Sequence, residues 1–134
     1  MLIDEGLELL DEAECLRLLA SASIGRVGLT VGALPVILPV NYALVEGDVV
    51  FRTGEGTKLR ASRQGTVMAF EIDAYDANAR TGWSVLAVGC AREVTDERQL
   101  ADLRTLGIAP WADGERTRYV RLCPEMLSGR RISS

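Results

Sequence analysis

The residues best suited to chemistry lie in the segment FRTGEGTKLRAS, residues 51–62, which contains the only lysine of the chain. Gly54 and Gly56 would allow backbone N–H groups to approach a bound group closely. Thr57 adds a hydroxyl donor, and Lys58 adds a mobile positive charge. Because amides, hydroxyls and cations bind phosphate in proteins, the segment indicates an anion site. The alternative interpretation is a solvated loop whose lysine lies in water.

Two common nucleotide-binding motifs do not account for this segment. A Walker A loop needs Ser or Thr directly after Gly-Lys, whereas the order here is Thr57-Lys58-Leu59. A Rossmann fingerprint needs a different glycine spacing inside a βαβ unit. The segment is therefore interpreted as a loop that binds an anion outside these two folds.

A second set of polar residues lies in the segment PVNY, which places Asn41 and Tyr42 inside an otherwise apolar strand. A buried asparagine without hydrogen-bond partners would cost about 1–3 kcal/mol. Asn41 therefore either forms hydrogen bonds within the protein at the end of the barrel or contacts a ligand, and the residue types leave both interpretations open.

Two further pairs stand at predicted strand ends. Arg52 and Thr53 end the strand before the lysine segment, at the edge where a ligand pocket would open. Trp83 and Ser84 begin another strand after Arg80-Thr81-Gly82. The indole of Trp83 either packs in a core or interface, or stacks on a ligand.

The chain contains no histidine. This excludes Ser-His-Asp and Cys-His catalysis, histidine metal sites and the usual general base near neutral pH. Chemistry would have to come from carboxylates or a bound cofactor. Asp73 and Asp76 are carboxylates on one predicted loop, which is interpreted as a solvated turn, so no catalytic residue is assigned.

The composition limits the classes of partner. With 134 residues and 48% hydrophobic side chains, the chain is predicted to be one domain, residues 1–134. A net charge of −4 without a dense basic run argues against binding of nucleic acid or of an anionic membrane surface. No apolar stretch is long enough to span a membrane, and the N-terminus lacks the pattern of a signal peptide, so a cytoplasmic location is expected.

Cys15, Cys90 and Cys123 are widely spaced, odd in number and without a CxxC pair. Neither a zinc site nor a thioredoxin-like site is predicted. The three cysteines are interpreted as small apolar residues in a reducing compartment.

Two helices are predicted from their end signals. Asp11, followed by Glu14 three residues later, has the spacing of a capping box and predicts a helix over 12–21. Leucines at helical spacing, after Asp96 as a possible cap, predict a second helix over 97–106, which Gly107 would end.

The remaining segments are predicted to be strands, rich in valine and leucine and bounded by Gly, Pro or Asp. Their regular spacing with only two helices favours an antiparallel barrel or sandwich over a βαβ fold. A tight hairpin turn is predicted at Glu46-Gly47-Asp48. The predicted strands are IGRVGLTV, LPVILPVNYALV, DVVFRT, TVMAFEID, WSVLAVGCAREV and two short final strands around RTRYVRLC and SGRRI.

Taken in order, IGRVGL, PVNY, FRTGEGTKL, FEID, TGWSVLAVGCAREV, APW and GRRI resemble the pyridoxamine 5′-phosphate oxidase-like proteins. They are most similar to the small flavin-nucleotide-binding branch that includes nitroimidazole-resistance proteins. The resemblance extends from about residue 10 to 132. It implies a six-stranded antiparallel split β-barrel with flanking helices, an FMN-binding fold that forms a homodimer with the cofactor at the interface.

The resemblance also implies roles for individual residues. Lys58 matches the basic residue that binds the flavin phosphate, with Thr57 and Arg52 nearby. The other matching positions lie along the flavin ring or at the rim of its site. They are Asn41, Tyr42, Arg52, Thr53, Trp83, Ser84 and Trp111.

The resemblance implies an FMN-dependent oxidoreductase that acts on an unidentified small molecule. The chain lacks the histidines and the C-terminal substrate region of the true pyridoxamine phosphate oxidases, so vitamin B6 is not the expected substrate. The alternatives are a dimer that binds or carries FMN or the deazaflavin F420 without turnover, and a dimer with no ligand. Haem is less well suited, because only Cys or Tyr could ligate its iron.

Overall fold

The computed structural model describes residues 2–4, 7–54, 56, 65–109 and 118–132. These residues form eight strands and two helices. In chain order they are β1 (Leu2–Asp4), β2 (Leu7–Leu10), α1 (Glu12–Ser21), β3 (Ile24–Val31), β4 (Leu34–Val45), β5 (Asp48–Thr53), β6 (Thr66–Asp76), β7 (Thr81–Glu93), α2 (Glu97–Arg104) and β8 (Arg118–Ile132).

Six of these strands close into a ring. Around the ring the order is β3, β4, β5, β8, β7 and β6, and β6 pairs again with β3. Every pairing is antiparallel, and the β1–β2 hairpin extends the sheet from the far end of β8. The predicted six-stranded antiparallel barrel with flanking helices is confirmed. Among the described residues, neither helix has the length and apolarity needed to cross a membrane.

The barrel core follows from the alternation of side chains along each strand. In β3, Val27 and Leu29 point inward while Arg26 and Thr30 point to solvent. Helix α1 covers one opening of the barrel and contributes buried apolar side chains to the same cluster. The largest fully buried side chains of the cluster are Phe51, Phe70, Leu19, Met68 and Ile72.

Helix α1 begins as predicted, but only half of the expected capping box forms. The Asp11 carboxylate accepts a hydrogen bond from the Glu14 backbone N–H at 2.8 Å. The Glu14 carboxylate instead accepts from the guanidinium groups of Arg17 and Arg131, the latter at 2.8 Å. These hydrogen bonds, first from Arg17 and then from Arg131, lower the pKa of Glu14 to about 2. The side chain therefore links α1 to β8.

Helix α2 ends two residues earlier than predicted. Asp96 caps it as expected, accepting from the backbone N–H groups of Arg98 and Gln99. After Arg104 the chain tightens into a turn, in which Thr105 donates to the Asp102 carbonyl at 3.1 Å. Gly107 has a φ of +67°, which favours glycine and ends the turn.

The last two predicted strands are in fact one strand, β8, of 15 residues. The prediction divided this strand in two, but Pro124 lies within it although proline has no N–H to donate. A bulge accommodates it: Gly89 pairs with Pro124 and Val88 with Met126, so one residue of β8 has no opposite partner.

The hairpin between β4 and β5 has two turn residues. Glu46 and Gly47 have φ values of 52° and 83°, and Val45 pairs with Asp48. Positive φ at both turn positions matches the right-handed twist of the flanking strands. The predicted turn is confirmed, with Asp48 as the first residue of β5.

Gly25 of β3 packs directly against the buried ring of Phe70. A Cβ atom at this position would lie 2.6 Å from Cε1 of Phe70, a distance that folded proteins do not tolerate. Phe70 is fully buried and has no free space to move into. The absence of a side chain at Gly25 therefore leaves the space that the Phe70 ring occupies.

We expect Gly25→Ala to lower the free energy of unfolding by about 1–3 kcal/mol, the usual cost of overpacking a core. Urea denaturation would measure this. Gly28→Ala on the same strand is the matched control, since its added Cβ would meet Ala69 Cβ at 3.6 Å. The control should change stability by no more than about 0.5 kcal/mol. Equal effects of the two substitutions would contradict the packing argument.

Candidate functional site

Asn41 and Arg52 lie side by side on the outer surface of the barrel, Asn41 within β4 and Arg52 next to the end of β5. The Asn41 Nδ2 donates to the carbonyl of Ala109 at 2.9 Å, and the Arg52 Nη1 donates to the carbonyl of Ile108 at 3.1 Å. The Arg52 guanidinium also lies 6.0 Å from the centre of the Tyr119 ring. The two side chains therefore hold the segment after α2 against the outer surface of β4 and β5.

This segment covers a small apolar cluster outside the barrel. Val50 of β5 and Tyr119 of β8 pack against Val94, Leu103 of α2 and Ile108. The cluster fixes α2 and the chain that follows it on the β4–β5–β8 surface. The hydrogen bond to Ala109 supports the first interpretation of Asn41, in which its side chain forms hydrogen bonds within the protein.

Tyr42 has a different environment, although it adjoins Asn41 in sequence. Its side chain is buried in the barrel, where the hydroxyl donates to the Leu19 carbonyl at 2.5 Å. Its ring meets that of Phe70 edge to face, with 4.7 Å between ring centres. Burial raises the pKa of Tyr42 to about 12. The Tyr42 side chain therefore anchors α1. A ligand outside the barrel could contact the backbone at this position but not the buried ring.

Thr53 is buried at the end of β5, and its hydroxyl donates to the Gly54 carbonyl at 3.3 Å. The predicted anion-binding residues follow directly in sequence. Thr57 and Lys58 lie outside the described residues, as does Trp111, so their predicted roles remain predictions.

Trp83 and Ser84 lie at the start of β7. Trp83 is half-buried against the barrel core and pairs with Ala74 and Arg131 on the two neighbouring strands. A cavity of about 490 Å³ lies beside it, lined in part by Tyr75, Arg131 and Ile132. Ser84 pairs with Asp73 and Arg130 on the outer surface.

The described site residues therefore form two separate groups within one chain. Asn41 and Arg52 lie next to each other on neighbouring strands, since the register pairs Tyr42 with Phe51. Strand β7, with Trp83, is separated from β5 by β8 and from β4 by β3 and β6. Among the described residues, each group lies on its own part of the barrel wall.

A cluster of charged residues that the sequence analysis missed lies on the outer surface of β3 and β6. The Arg26 Nη1 donates to Glu71 Oε1 at 2.9 Å and to Asp73 Oδ2 at 3.2 Å. Asp73 lies in β6, not on a loop with Asp76 as expected, because β6 continues to Asp76. The Asp76 carboxylate accepts from the N–H groups of residues 78 and 79 and caps the turn. The alternation in FEID was the signal that places Glu71 and Asp73 on one side of a strand.

The carboxylate pair alters the titration of Glu71. Burial first, and then the hydrogen bond and charge of Asp73, raise the pKa of Glu71 to about 7, while Arg26 acts in the opposite direction. The described residues contain no group of three Cys, Asp or Glu side chains placed to hold a metal ion.

Comparison with known proteins identifies the family. The model of the family described as pyridoxamine 5′-phosphate oxidase matches residues 11–131. The chain belongs to this family. Membership confirms the resemblance stated from the sequence motifs, and it agrees with the closed six-stranded barrel described above.

Two relatives of the pyridoxamine 5′-phosphate oxidase family are similar over almost the whole chain. The uncharacterized protein Rv0080 of Mycobacterium tuberculosis is 43% identical, over 92% of this chain and 84% of its own. The FAD binding protein of Mycobacterium smegmatis is 36% identical, with a TM-score of 0.79, over 94% of this chain and 98% of that chain. A second structure, a FAD-binding protein of Mesorhizobium loti, shares the fold at 21% identity with a TM-score of 0.80, over 95% and 99% of the two chains.

The raised pKa of Glu71 leads to a prediction about stability. Between pH 4.5 and about 7 the folded protein keeps a proton on Glu71 that the unfolded chain has released. Stability therefore falls as the pH rises through this interval. Glu71→Gln should remove this loss, so that the variant loses less stability than the native chain over the same interval.

Urea denaturation at several pH values from 4.5 to about 7 would measure the difference. Arg26→Gln is the control of opposite sign, because the guanidinium lowers the pKa of Glu71 and its removal should steepen the fall. Parallel stability curves for the native chain and Glu71→Gln would refute the assignment.

Proposed function

We propose that this chain binds a flavin nucleotide and uses it as the redox cofactor of an oxidoreductase that acts on a small molecule. The observation that carries the proposal is the similarity to the FAD binding protein of M. smegmatis, at 36% identity over 94% of this chain. Membership of the pyridoxamine 5′-phosphate oxidase family supports it. FMN is the specific cofactor we propose, and FAD and F420 are the alternatives that the experiments must separate.

The donors among the described residues suit a flavin bound beside Asn41 of β4 and the end of β5. Arg52 is a half-buried cation at the end of β5, next to the segment that contains Thr57 and Lys58. The amide of Asn41 and the guanidinium of Arg52 are donors, and the flavin ring and its phosphate present mainly acceptors. In this proposal Lys58 and Thr57 hold the phosphate, and Asn41 of β4 and Thr53 at the end of β5 lie along the ring.

The bound flavin would supply the hydride or electron transfer. The chain supplies position and charge: Asn41 and Arg52 hold the segment 108–109, which leads towards Trp111, at the edge of the proposed site. No side chain is proposed as a catalytic acid or base. A cytoplasmic location remains a prediction.

We propose further that the site is completed by a second copy of the chain. Trp83 and Ser84 lie on a part of the barrel away from Asn41 and Arg52. If both groups contact one flavin, Trp83 and Ser84 must come from the partner. The dimer therefore follows from the separation of the predicted site residues.

A sheet surface suited to self-association is present on the described strands. Five residues paired in series form an apolar row across β4, β3, β6, β7 and β8: Ile37, Gly28, Ala69, Val88 and Met126. The two ends of the row are well exposed, Ile37 to 72% and Met126 to 63%. Such a row on the surface is typical of a protein interface.

The charges beside this row suit a symmetric contact. Arg26, Glu71 and Asp73 lie next to it and carry both signs. In a two-fold interface the same surface meets itself, so that a cation of one copy can face a carboxylate of the other. We therefore propose that a second copy of this chain covers the apolar row.

The cofactor proposal predicts that Lys58→Ala weakens FMN binding by about 1–3 kcal/mol, or roughly five- to 150-fold in Kd, since a charged hydrogen bond to phosphate is lost. Titration with FMN, followed by absorption and fluorescence, would measure this. Riboflavin has no phosphate and is the matched control ligand. Arg52→Ala is the companion variant that tests which cation dominates.

Chromatography of the cofactor released from the purified protein would distinguish FMN, FAD and F420. Bleaching of the flavin band by NAD(P)H would support the enzyme, while a flavin that no donor reduces would favour a carrier. A folded protein that ignores all three cofactors would overturn the proposal.

The dimer proposal predicts that Met126→Glu converts the protein to a monomer and weakens flavin binding at the same time. A buried carboxylate without a partner is costly in an apolar interface. Sedimentation velocity would measure the mass. Leu106→Glu is the matched control, because Leu106 is 49% exposed and lies away from the row; it should leave the dimer intact. A native protein that sediments as a monomer at micromolar concentration would refute the dimer.

A further inference from the structure

Cys90 and Cys123 face each other across two adjacent strands. They are 33 positions apart in sequence, yet β7 and β8 pair them directly, between the pairs Ala91–Leu122 and Gly89–Pro124. Both are free cysteines. The sequence analysis found no CxxC spacing and treated them as small apolar residues, so it missed this pair.

The pairing geometry is that of a potential disulfide. Directly opposite residues of antiparallel strands point to the same side, with Cα atoms about 4.5 or about 5.5 Å apart depending on the type of pair. Both distances lie inside the range of about 4.4–6.8 Å that disulfides span. The bond can therefore form between these strands without separation of the backbone.

The neighbouring backbone holds the pair in this register. At Gly89 the two strands approach so closely that a Cβ atom would lie 2.8 Å from the carbonyl carbon of Cys123. The bulge that places Pro124 opposite Gly89 begins here. Because the two thiols are held adjacent before any reaction, closure of the bond is intramolecular and costs little chain entropy.

Solvent and small molecules can reach the two sulfur atoms. Cys123 is exposed and Cys90 is half-buried. Both line one groove of about 350 Å³ on the outer surface of the barrel, between the β7–β8 pair and the start of α2. By contrast Cys15 is fully buried, and burial raises the pKa of its thiol.

Charged groups around the groove set the resting state of Cys123. The Asp48 carboxylate, from the start of β5, raises the pKa of the Cys123 thiol by its charge. Arg121, whose Nε donates to Asp48 at 2.6 Å, acts in the opposite direction, and Glu125 adds to the effect of Asp48. Other charged residues that line the groove are Arg92, Glu93 and Asp96. Cys123 therefore rests as a thiol near neutral pH.

We propose that Cys90 and Cys123 form a reversible dithiol–disulfide site, which closes by exchange with a small-molecule disulfide. The site is independent of the proposed flavin. It would link β7 to β8 at the bulge and change the surface of the groove between oxidised and reduced protein.

The exchange proceeds in two balanced steps. The thiolate of the exposed Cys123 attacks one sulfur of the small disulfide, the S–S bond breaks, and one small thiolate leaves. The thiolate of Cys90 then attacks the Cys123 sulfur of this mixed disulfide and releases the second small thiolate. The protons of the two cysteines pass to the two leaving thiolates. The protein loses two electrons, and the small disulfide gains them.

The test uses the full chain, first reduced and then incubated with oxidised glutathione at about pH 8.5, where more thiolate is present. Titration of thiols in denaturant should fall from the three cysteines of the sequence to one. Digestion without reductant should give a linked peptide containing Cys90 and Cys123, and Cys15 should remain a free thiol.

Cys90→Ser and Cys123→Ser are matched variants, since serine is close in size and both positions lie on the outer surface. Cys90→Ser should stop at the mixed disulfide on Cys123, and Cys123→Ser should react more slowly. If the native chain keeps all three thiols, or if the bond links Cys15 or two chains, the proposal is overturned. The peptide map of the native chain decides this even if a variant fails to fold.

Discussion

The antiparallel pairing of β8 with β5 on one side and β7 on the other is the interaction on which the whole structure depends. Without it the other five strands of the ring would form an open sheet with two unpaired edges. Strand β8 is long enough to pair with both neighbours and, at its far end, with β2. The bulge at Gly89 and Pro124 gives β8 the bend that a closed barrel requires.

The same strand connects each functional region of the molecule to the barrel. Near its start, Tyr119 packs in the outer cluster and lies next to the Arg52 guanidinium. In its middle, Cys123 faces Cys90. At its end, Arg131 forms an ion pair with Glu14 and so attaches α1. Since one continuous strand places all three regions, a change of register in β8 would move them together.

The outer surface of the barrel has three different regions. Under α2 it is apolar and covered, with Asn41 and Arg52 fixing the chain at its border. Across β3, β6 and β7 it is apolar and exposed beside charges of both signs. Between these lies the groove with the two cysteines. A small barrel has only one packed interior, so its ligand sites are expected on its outside, which agrees with the proposed site between two copies.

Local physics made part of this structure predictable from sequence. Asp11 and Asp96 begin the two helices because a carboxylate accepts the N–H groups that a helix start leaves without partners. Gly47 and Gly107 mark turns because their φ angles are positive. The family could be recognised because its motifs occur in order, and Asn41, Arg52 and Trp83 could be singled out as polar or aromatic residues inside an apolar strand or at a strand end.

What the sequence by itself determined is therefore the position of the two helices and of the barrel strands β3 to β7, the barrel class and the candidate flavin-binding segments. The hairpin of β1 and β2 was not predicted. Only the tertiary structure decided that β8 is one strand, that Tyr42 points into the core while Asn41 does not, and that Cys90 lies opposite Cys123. The reason is that strand pairing joins residues far apart in the chain. Their register is set by closure of the barrel as a whole, and no local pattern of residues records it.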